Sequence, residues 1–261
     1  MNRAVKPKKH LGQHFLHDMH QANAIADAVG VSARIKQVVE VGPGMGVLTK
    51  LLLDRGFQVT AVEIDRDSIA YLKQNLLHPN LTIVEGDVLN RHIVEQLPNR
   101  FVLCGNFPYN ISSQILFQCI EWGERVVEIT GMFQKEVAER IVSGPGNKSY
   151  GILSVLLALH YKGSYLFTVK PGSFNPPPKV NSGVVRFERL QEPKACGDEK
   201  LFKQIVKAAF NQRRKTLRNA LKPFYNKADD QLPYADKRAE QLSVDDFILL
   251  FDEIQKYLKL C

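Results

Sequence analysis

Cysteine is scarce in this chain, and the few present do not pair by pattern. Four occur in 261 residues: Cys104, Cys119, Cys196 and Cys261. None makes a C-x-x-C, and none has the spacing to histidine of a zinc site. The pattern argues against a disulfide framework and a structural metal, so no metal ligands are expected. Scattered thiols fit a reducing, cytoplasmic compartment. Long apolar runs are missing as well. The longest, "GILSVLLALHY", is too short to span a bilayer and reads as a buried helix. The opening "MNRAVKPKKHLGQHFL" is basic without an apolar core, so no secretory signal is read there. There is no internal repeat, no low-complexity tract and no G-x-x-x-x-G-K-[ST] phosphate loop.

What is there is a hydrophobic content of 44%, enough for a sizeable core, and a formal net charge of +8. The length suits one large domain, or one domain with a small appendage. The excess charge points to an anionic partner, nucleic acid first and a membrane surface second.

From about Lys36 apolar strands alternate with amphipathic stretches. "IKQVVEV", "FQVTAVEID", "LTIVEGD", "RFVLCGN" and "RVVEITGMFQ" read as strands. "GVLTKLLLDRG", "RDSIAYLKQNL", "SQILFQCIEW" and "KEVAERIVSG" read as the helices between and after them, the first stopped by Gly56. This alternation predicts an α/β fold with a parallel sheet covered on both faces. "YKGSYLFTVKPGSF" and "SGVVRFERL" would add antiparallel strands to one edge. After "EPKACGDEK", a polar linker, only helical patterns follow, "KLFKQIVKAAFNQRRKTLRNALKPF" and "SVDDFILLFDEIQKYLK". The expected division is residues 1–190, the sheet-bearing domain with its basic N-terminal extension, and 191–261, a small helical domain.

The first strand runs into "VEVGPGMG", where Gly42, Gly44 and Gly46 allow a tight turn and close approach to a ligand. A glycine-rich turn alone is a weak signal, and Val47 departs from the dinucleotide fingerprint. Glu63 ends the second strand about 20 residues on, where an acid can accept from ribose hydroxyls. Asp87 ends the third strand and could accept from an adenine amine, with Val88 and Ile64 beside the ring. For either acid alone, a solvated strand end or a helix cap is an equally good role. Together, at the strand ends where α/β sheets bind ligands, they suggest an adenosine-containing cofactor. S-adenosylmethionine fits, with Gly42 and Gly44 near its amino-acid part.

"GNFPYNIS" follows the fourth strand and shares that row of strand ends. The Asn106 side-chain oxygen and the Pro108 carbonyl are two acceptors that suit an –NH2 donor. Tyr109 offers a face for base stacking, worth on the order of 1–3 kcal/mol. The lone pair of an adenine amine is conjugated into the ring and nucleophilically poor. Orienting the amine would supply most of the acceleration without a strong base. The base must leave its stack to enter.

This N-x-P-Y pattern resembles amino-group methyltransferases acting on adenine. "HLGQHFL", "VEVGPGMGVLT", "VEID", "EGDVL", "GNFPYNISS", "MFQKEVAERI", "FNPPPKVNSGVVR" and "AFNQRRKTLRNAL" together resemble the ribosomal RNA adenine N6-dimethyltransferases of the bacterial small subunit. The resemblance runs nearly the whole chain in one order. It implies a Rossmann-like class I S-adenosylmethionine-dependent methyltransferase domain with a small all-α C-terminal domain. It also implies transfer of two methyl groups to each of two adjacent adenines near the 3′ end of 16S rRNA during 30S assembly. Carried onto this sequence, it implies cofactor contacts at His14, Leu16, Gly42, Glu63, Asp87 and Asn106. It places the amine-orienting role at Asn106, a stacking role at Tyr109, and closure of the base's other face at Phe174. Two positions depart from the family: His14 stands where asparagine is usual, and Phe107 where leucine is commoner.

"NQRRKTLRNAL" is read as helix, with Arg214 and Arg218 one turn apart and Arg213 and Lys215 flanking. Lys6, Lys8 and Lys9 form a second basic cluster. Both are expected to contact RNA phosphates, which position without reading sequence. The 16S rRNA of the immature 30S subunit is the expected partner, and the chain is expected to act as a monomer. The rivals are an Erm-type 23S rRNA methyltransferase, an RNA-binding assembly factor without catalysis, and a nicotinamide-dependent oxidoreductase. The motif set disfavours the first; the intact glycines, acids and Asn-Phe-Pro-Tyr disfavour the second; Val47 and Asn106–Tyr109 disfavour the third.

Overall fold

The computed structural model describes residues 5–30, 35–194, 196–225 and 232–260. Cys261 and the first four residues of the basic opening lie outside them. The strands are β1 (Phe15–Leu16), β2 (Gln37–Val41), β3 (Gln58–Glu63), β4 (Leu81–Glu85), β5 (Phe101–Asn106), β6 (Val126–Gln134), β7 (Tyr161–Val169), β8 (Phe174–Asn175) and β9 (Ser182–Arg189). The helices are α1 (Met19–Ala28), α2 (Val47–Asp54), α3 (Arg66–Asn75), α4 (Arg91–Val94), α5 (Ser112–Trp122), α6 (Lys135–Ile141), α7 (Ile152–Ala158), α8 (Glu199–Asn211), α9 (Leu217–Ala220) and α10 (Val244–Leu260).

Among the described residues, seven strands form one sheet in the order β4-β3-β2-β5-β6-β9-β7. The first five run parallel, with Val41 opposite Val62, Glu63 opposite Glu85 and Asn106 opposite Met132. Strand β9 joins antiparallel, with Met132 opposite Val184 and Gln134 opposite Ser182. The extra strands are thus where the pattern put them, except that the later one, β9, lies inside β7. The register explains the apolar strands: β5 is buried along Phe101–Gly105 because both faces are covered. Helices α1 and α2 pack beside one another, and Ala22, Ile25, Leu48 and Leu52 lie in one core cluster with Val38, Val59 and Val102. Each fully buried Leu or Ile there contributes roughly 1.5–3 kcal/mol. Strands β1 and β8 pair antiparallel as a separate ribbon, with Leu16 opposite Phe174. Neither β1 nor α1 was visible as periodicity in the sequence.

The chain divides into two compact units, residues 1–139 with 162–189, and residues 140–161 with 190–261. The sequence pattern drew its boundary after 190 and so left 140–161 with the sheet. The second unit includes that segment because α7 packs on α8. Its core is aromatic: Phe202 meets Phe251 edge-on at 5.7 Å, and Phe210 stacks near Phe247 at 5.8 Å. Asp198 caps α8, accepting from Lys200 N and Leu201 N at 3.0 Å each. Ser243 and Asp246 cap α10 reciprocally.

The single long helix expected over "NQRRKTLRNAL" is corrected. Helix α8 ends at Asn211, and Arg213, Arg214 and Lys215 lie in an exposed turn before α9. Arg214 and Arg218 therefore do not share one continuous helix face. The turn ties itself with Lys215 N donating to Gln212 O at 2.7 Å. No helix among the described residues is long and apolar enough to cross a membrane, and none of their His, Cys, Asp and Glu side chains group in threes as a metal site.

Candidate active site

The C-terminal ends of β2, β3, β4 and β5 open into a cavity of about 240 Å³. Gly42, Gly44, Glu63, Asp87, Asn106, Pro108, Tyr109 and His14 all line it. Val41, Val62, Ile64, Val88 and Phe107 supply the apolar wall. Of the expected site residues in this unit, only Leu16 and Phe174 fall outside it. Leu16 borders a smaller neighbouring cavity of about 40 Å³. Phe174 is only 2% exposed and belongs to the core cluster. Phe174 thus packs in the core and is not among the residues lining this cavity. Its strand pairs with β1, where Phe174 lies opposite Leu16.

Two glycines let the strand ends converge. Gly44 has φ +57°, and a Cβ there would stand 2.8 Å from the Phe15 ring. Gly105 has φ +152°, and a Cβ would stand 2.6 Å from the Val41 carbonyl. A side chain at Gly105 would push β5 from β2 just where Asn106 leaves the sheet.

Glu63 is buried and heavily committed. One carboxylate oxygen accepts from Gly44 N at 3.1 Å; the other accepts from Ile64 N and Asp65 N, both at 2.9 Å. Burial raises its pKa, and these three backbone donors oppose the rise. A carboxylate has about four acceptor sites, so one remains for a ligand hydroxyl. Asp87 lines the wall and accepts from Leu89 N at 2.9 Å. Beside it, Ile64 is 52% exposed although apolar, a surface suited to a flat ring.

Asn106 donates from Nδ2 to the His14 carbonyl at 2.8 Å. A carbonyl cannot donate, so the amide nitrogen is fixed there and Oδ1 is left as acceptor. The Pro108 carbonyl already accepts from Ile111 N at 3.1 Å, with one lone pair over. Phe107 is fully buried against Phe133, with ring centroids 5.0 Å apart, and anchors the loop. The larger ring is accommodated because Gly131 lies beneath it. Tyr109 sits at the wall, its hydroxyl 2.6 Å from Ser182 Oγ. Burial raises the phenol pKa.

The His14 ring at the cavity wall is held by a backbone group. Its Nδ1 lies 2.7 Å from the Pro176 carbonyl, so that nitrogen carries the proton. Lys8 is ion-paired. It pairs with Asp65 and, at 2.7 Å, with Asp67. Gln13 joins them, donating to Asp65 at 3.0 Å while accepting from Lys8 N at 2.8 Å. The clasp holds the N-terminal segment to the β3–α3 turn. Lys6 and Lys9 remain exposed.

Glu40 was missed by sequence reading. It borders the smaller cavity beside Gly42, His14 and Asn106. Burial, with Glu63 adding, raises its pKa to about 7. A hydrogen bond from the buried Thr49 hydroxyl opposes that rise. The signal was one glutamate inside the valine run Val38–Val41.

In the second unit, Arg213 donates to the Lys148 carbonyl, and Arg218 bonds Asp236 at 3.0 Å. Arg214 and Lys215 are exposed beside them.

Residues 4–256 match the family described as ribosomal RNA adenine dimethylase. The chain is 51% identical to a Bacteroides thetaiotaomicron protein named ribosomal RNA small subunit methyltransferase A, across 98% of this chain and 96% of that one. Among solved structures it is similar to a dimethyladenosine transferase from Plasmodium falciparum (27% identity, TM-score 0.76, 89% and 96% coverage). It is also similar to the 23S rRNA methyltransferase ErmE (25% identity, TM-score 0.73, 92% and 99% coverage).

Proposed function

The chain belongs to the ribosomal RNA adenine dimethylase family, and from that premise we propose that it dimethylates N6 of two adjacent adenines near the 3′ end of 16S rRNA, in the immature 30S subunit. The methyl source in this reading is S-adenosylmethionine. The single observation that carries it is the Asn106 amide, whose nitrogen is tied to His14 so that its oxygen is the acceptor at the cavity.

The residues present fit that cofactor. Glu63 keeps one acceptor site for a ribose hydroxyl, Asp87 accepts at the β4 end, and Ile64 and Val88 flank a flat ring. The Glu40 carboxyl, at the border of the smaller cavity, suits an ammonium group. When bound, the cofactor supplies an electrophilic methyl group on a sulfonium. The protein's part is positioning. In the first transfer Asn106 Oδ1 and the free lone pair of the Pro108 carbonyl accept from the two N6 hydrogens, turning the nitrogen lone pair out of conjugation; in the second, the one remaining N6 hydrogen is held by one of these acceptors. Tyr109 stacks on the flipped base. The apolar wall excludes water, which strengthens both polar contacts. Arg213, Arg214, Lys215 and Arg218 hold phosphates and set the register.

The small-subunit target is supported by 51% identity to a relative so named, against 25% to ErmE. The test is transfer of labelled methyl groups into 30S subunits lacking dimethyladenine, with 50S subunits in parallel. Label recovered as dimethyladenine in 16S rRNA is expected. Label confined to 23S rRNA would move the protein to the Erm-type activity.

A further inference from the structure

We propose that Ser182 is a positioning residue for methyl transfer: its hydroxyl holds the Tyr109 ring in the plane on which the target adenine stacks. This rests on the stacking role given to Tyr109 above. The two hydroxyl oxygens are 2.6 Å apart although the residues are 73 apart in sequence.

A tyrosine on a loop swings about χ1 and rotates broadly about χ2. Its hydroxyl is the one polar handle by which the ring can be fixed. Ser182 supplies the fixed end. It is fully buried, opens β9 and pairs with Gln134 of β6. The residue before it is anchored too, since the Asn181 carbonyl accepts from Lys135 N at 2.9 Å. Strand β6 in turn pairs with β5, where Met132 lies opposite Asn106. The root of the Asn-Phe-Pro-Tyr loop and the group that pins its far end thus belong to one continuous ladder.

The same run of chain reaches the loop twice. At Ser182 it holds Tyr109 directly. At Pro176 its carbonyl accepts from His14 Nδ1, and the His14 carbonyl accepts from Asn106. The residues after β8 therefore set both the amine-orienting amide and the stacking ring. Satisfying the tyrosine hydroxyl alone would not need this arrangement. Tyr109 is only half-buried, and water could serve it. A buried serine adds a polar group whose burial is unfavourable unless bonded, and its gain is a fixed ring. Burial raises the phenol pKa, so Tyr109 stays a neutral O–H partner.

The test is steady-state methylation of immature 30S subunits by the full-length protein, comparing Ser182→Ala, Tyr109→Phe, the double variant and Tyr109→Ala. Ser182→Ala is expected to lower kcat about fivefold to tenfold, the loss of one such hydrogen bond. KM for S-adenosylmethionine stays unchanged, which a general loosening of the cavity would not allow. Tyr109→Phe should lose the same factor, and the double variant no more than either single. Parental kcat in Ser182→Ala, with Tyr109→Ala inactive, overturns this proposal and leaves the stacking role standing. Losses that multiply in the double variant overturn it as well. Full activity in Tyr109→Ala overturns the stacking role and this proposal together. Should Ser182→Ala fail to fold by thermal melt, Tyr109→Phe decides alone: a fivefold to tenfold loss in kcat supports the proposal, and parental kcat overturns it.

Discussion

The Asn106 amide nitrogen donates to the His14 carbonyl oxygen at 2.8 Å, across 92 residues of chain. A segment before the first helix thus sets the amide orientation at the end of β5. The acceptor face of Asn106 is decided by a group that no local motif contains.

That bond makes Asn106 sensitive in two ways. Asn106→Ala removes the acceptor, and methyl transfer should fall by on the order of 10²–10³ while 30S binding persists. Asn106→Asp should fall at least as far, because a carboxylate cannot donate to His14 and would set two oxygens face to face. Single-turnover methylation beside filter binding of 30S particles checks both. Near-parental turnover in Asn106→Ala would remove the amine-orienting role.

Glu63→Ala acts on cofactor affinity and on folding together. Gly44, Ile64 and Asp65 lose the acceptor for their N–H groups. Stability should drop by about 1–3 kcal/mol, and S-adenosylmethionine affinity by about tenfold or more. Glu63→Gln keeps an oxygen for part of this set and should fall between. Calorimetric titration and urea unfolding measure the two effects separately. An unchanged cofactor affinity would refute the ribose assignment.

Glu40 predicts a pH-dependent stability. Its folded pKa of about 7 lies above the ordinary 4.5. Folding therefore favours the protonated form. The parent protein loses stability as pH rises from about 4.5 through 7, by about 3 kcal/mol in all, with the full penalty above that range. Glu40→Gln removes the ionisable group. Its stability relative to the parent should be higher at pH 8 than at pH 5. Urea midpoints at the two pH values test this, and equal differences at both would show that the carboxyl ionises freely in the fold.

The basic turn predicts a graded salt effect. Each phosphate contact steepens the fall of log affinity with log salt by about 0.7–0.9. Arg214→Ala and Lys215→Ala should each reduce that slope. Arg218→Ala should reduce it less, because Asp236 already offsets that charge. The measurement is 30S affinity from low to physiological salt. Slopes equal to the parent's in all three variants would place the RNA elsewhere.

Much of this protein was determined by sequence alone. Apolar strands alternating with amphipathic helices dictated a parallel sheet, because strands buried on both faces need apolar residues throughout. Glycines and acids at the ends of β2, β3 and β4, with Asn-Phe-Pro-Tyr after β5, then had to gather at one edge. Local chemistry at each strand end was enough for that.

Tertiary structure decided what depends on partners far apart in the chain. The Asn106 amide was oriented by His14, Tyr109 was pinned by Ser182, and Lys8 was taken by Asp65 and Asp67. Phe174 was placed among the core side chains, on a two-residue strand that pairs with β1. Helix α8 ended before the arginines that periodicity had placed on it. Periodicity reports which face of an element is buried; it does not report which distant donor meets which acceptor. Hydrogen bonds are short and directional, so those pairings exist only once packing has brought the backbone into place.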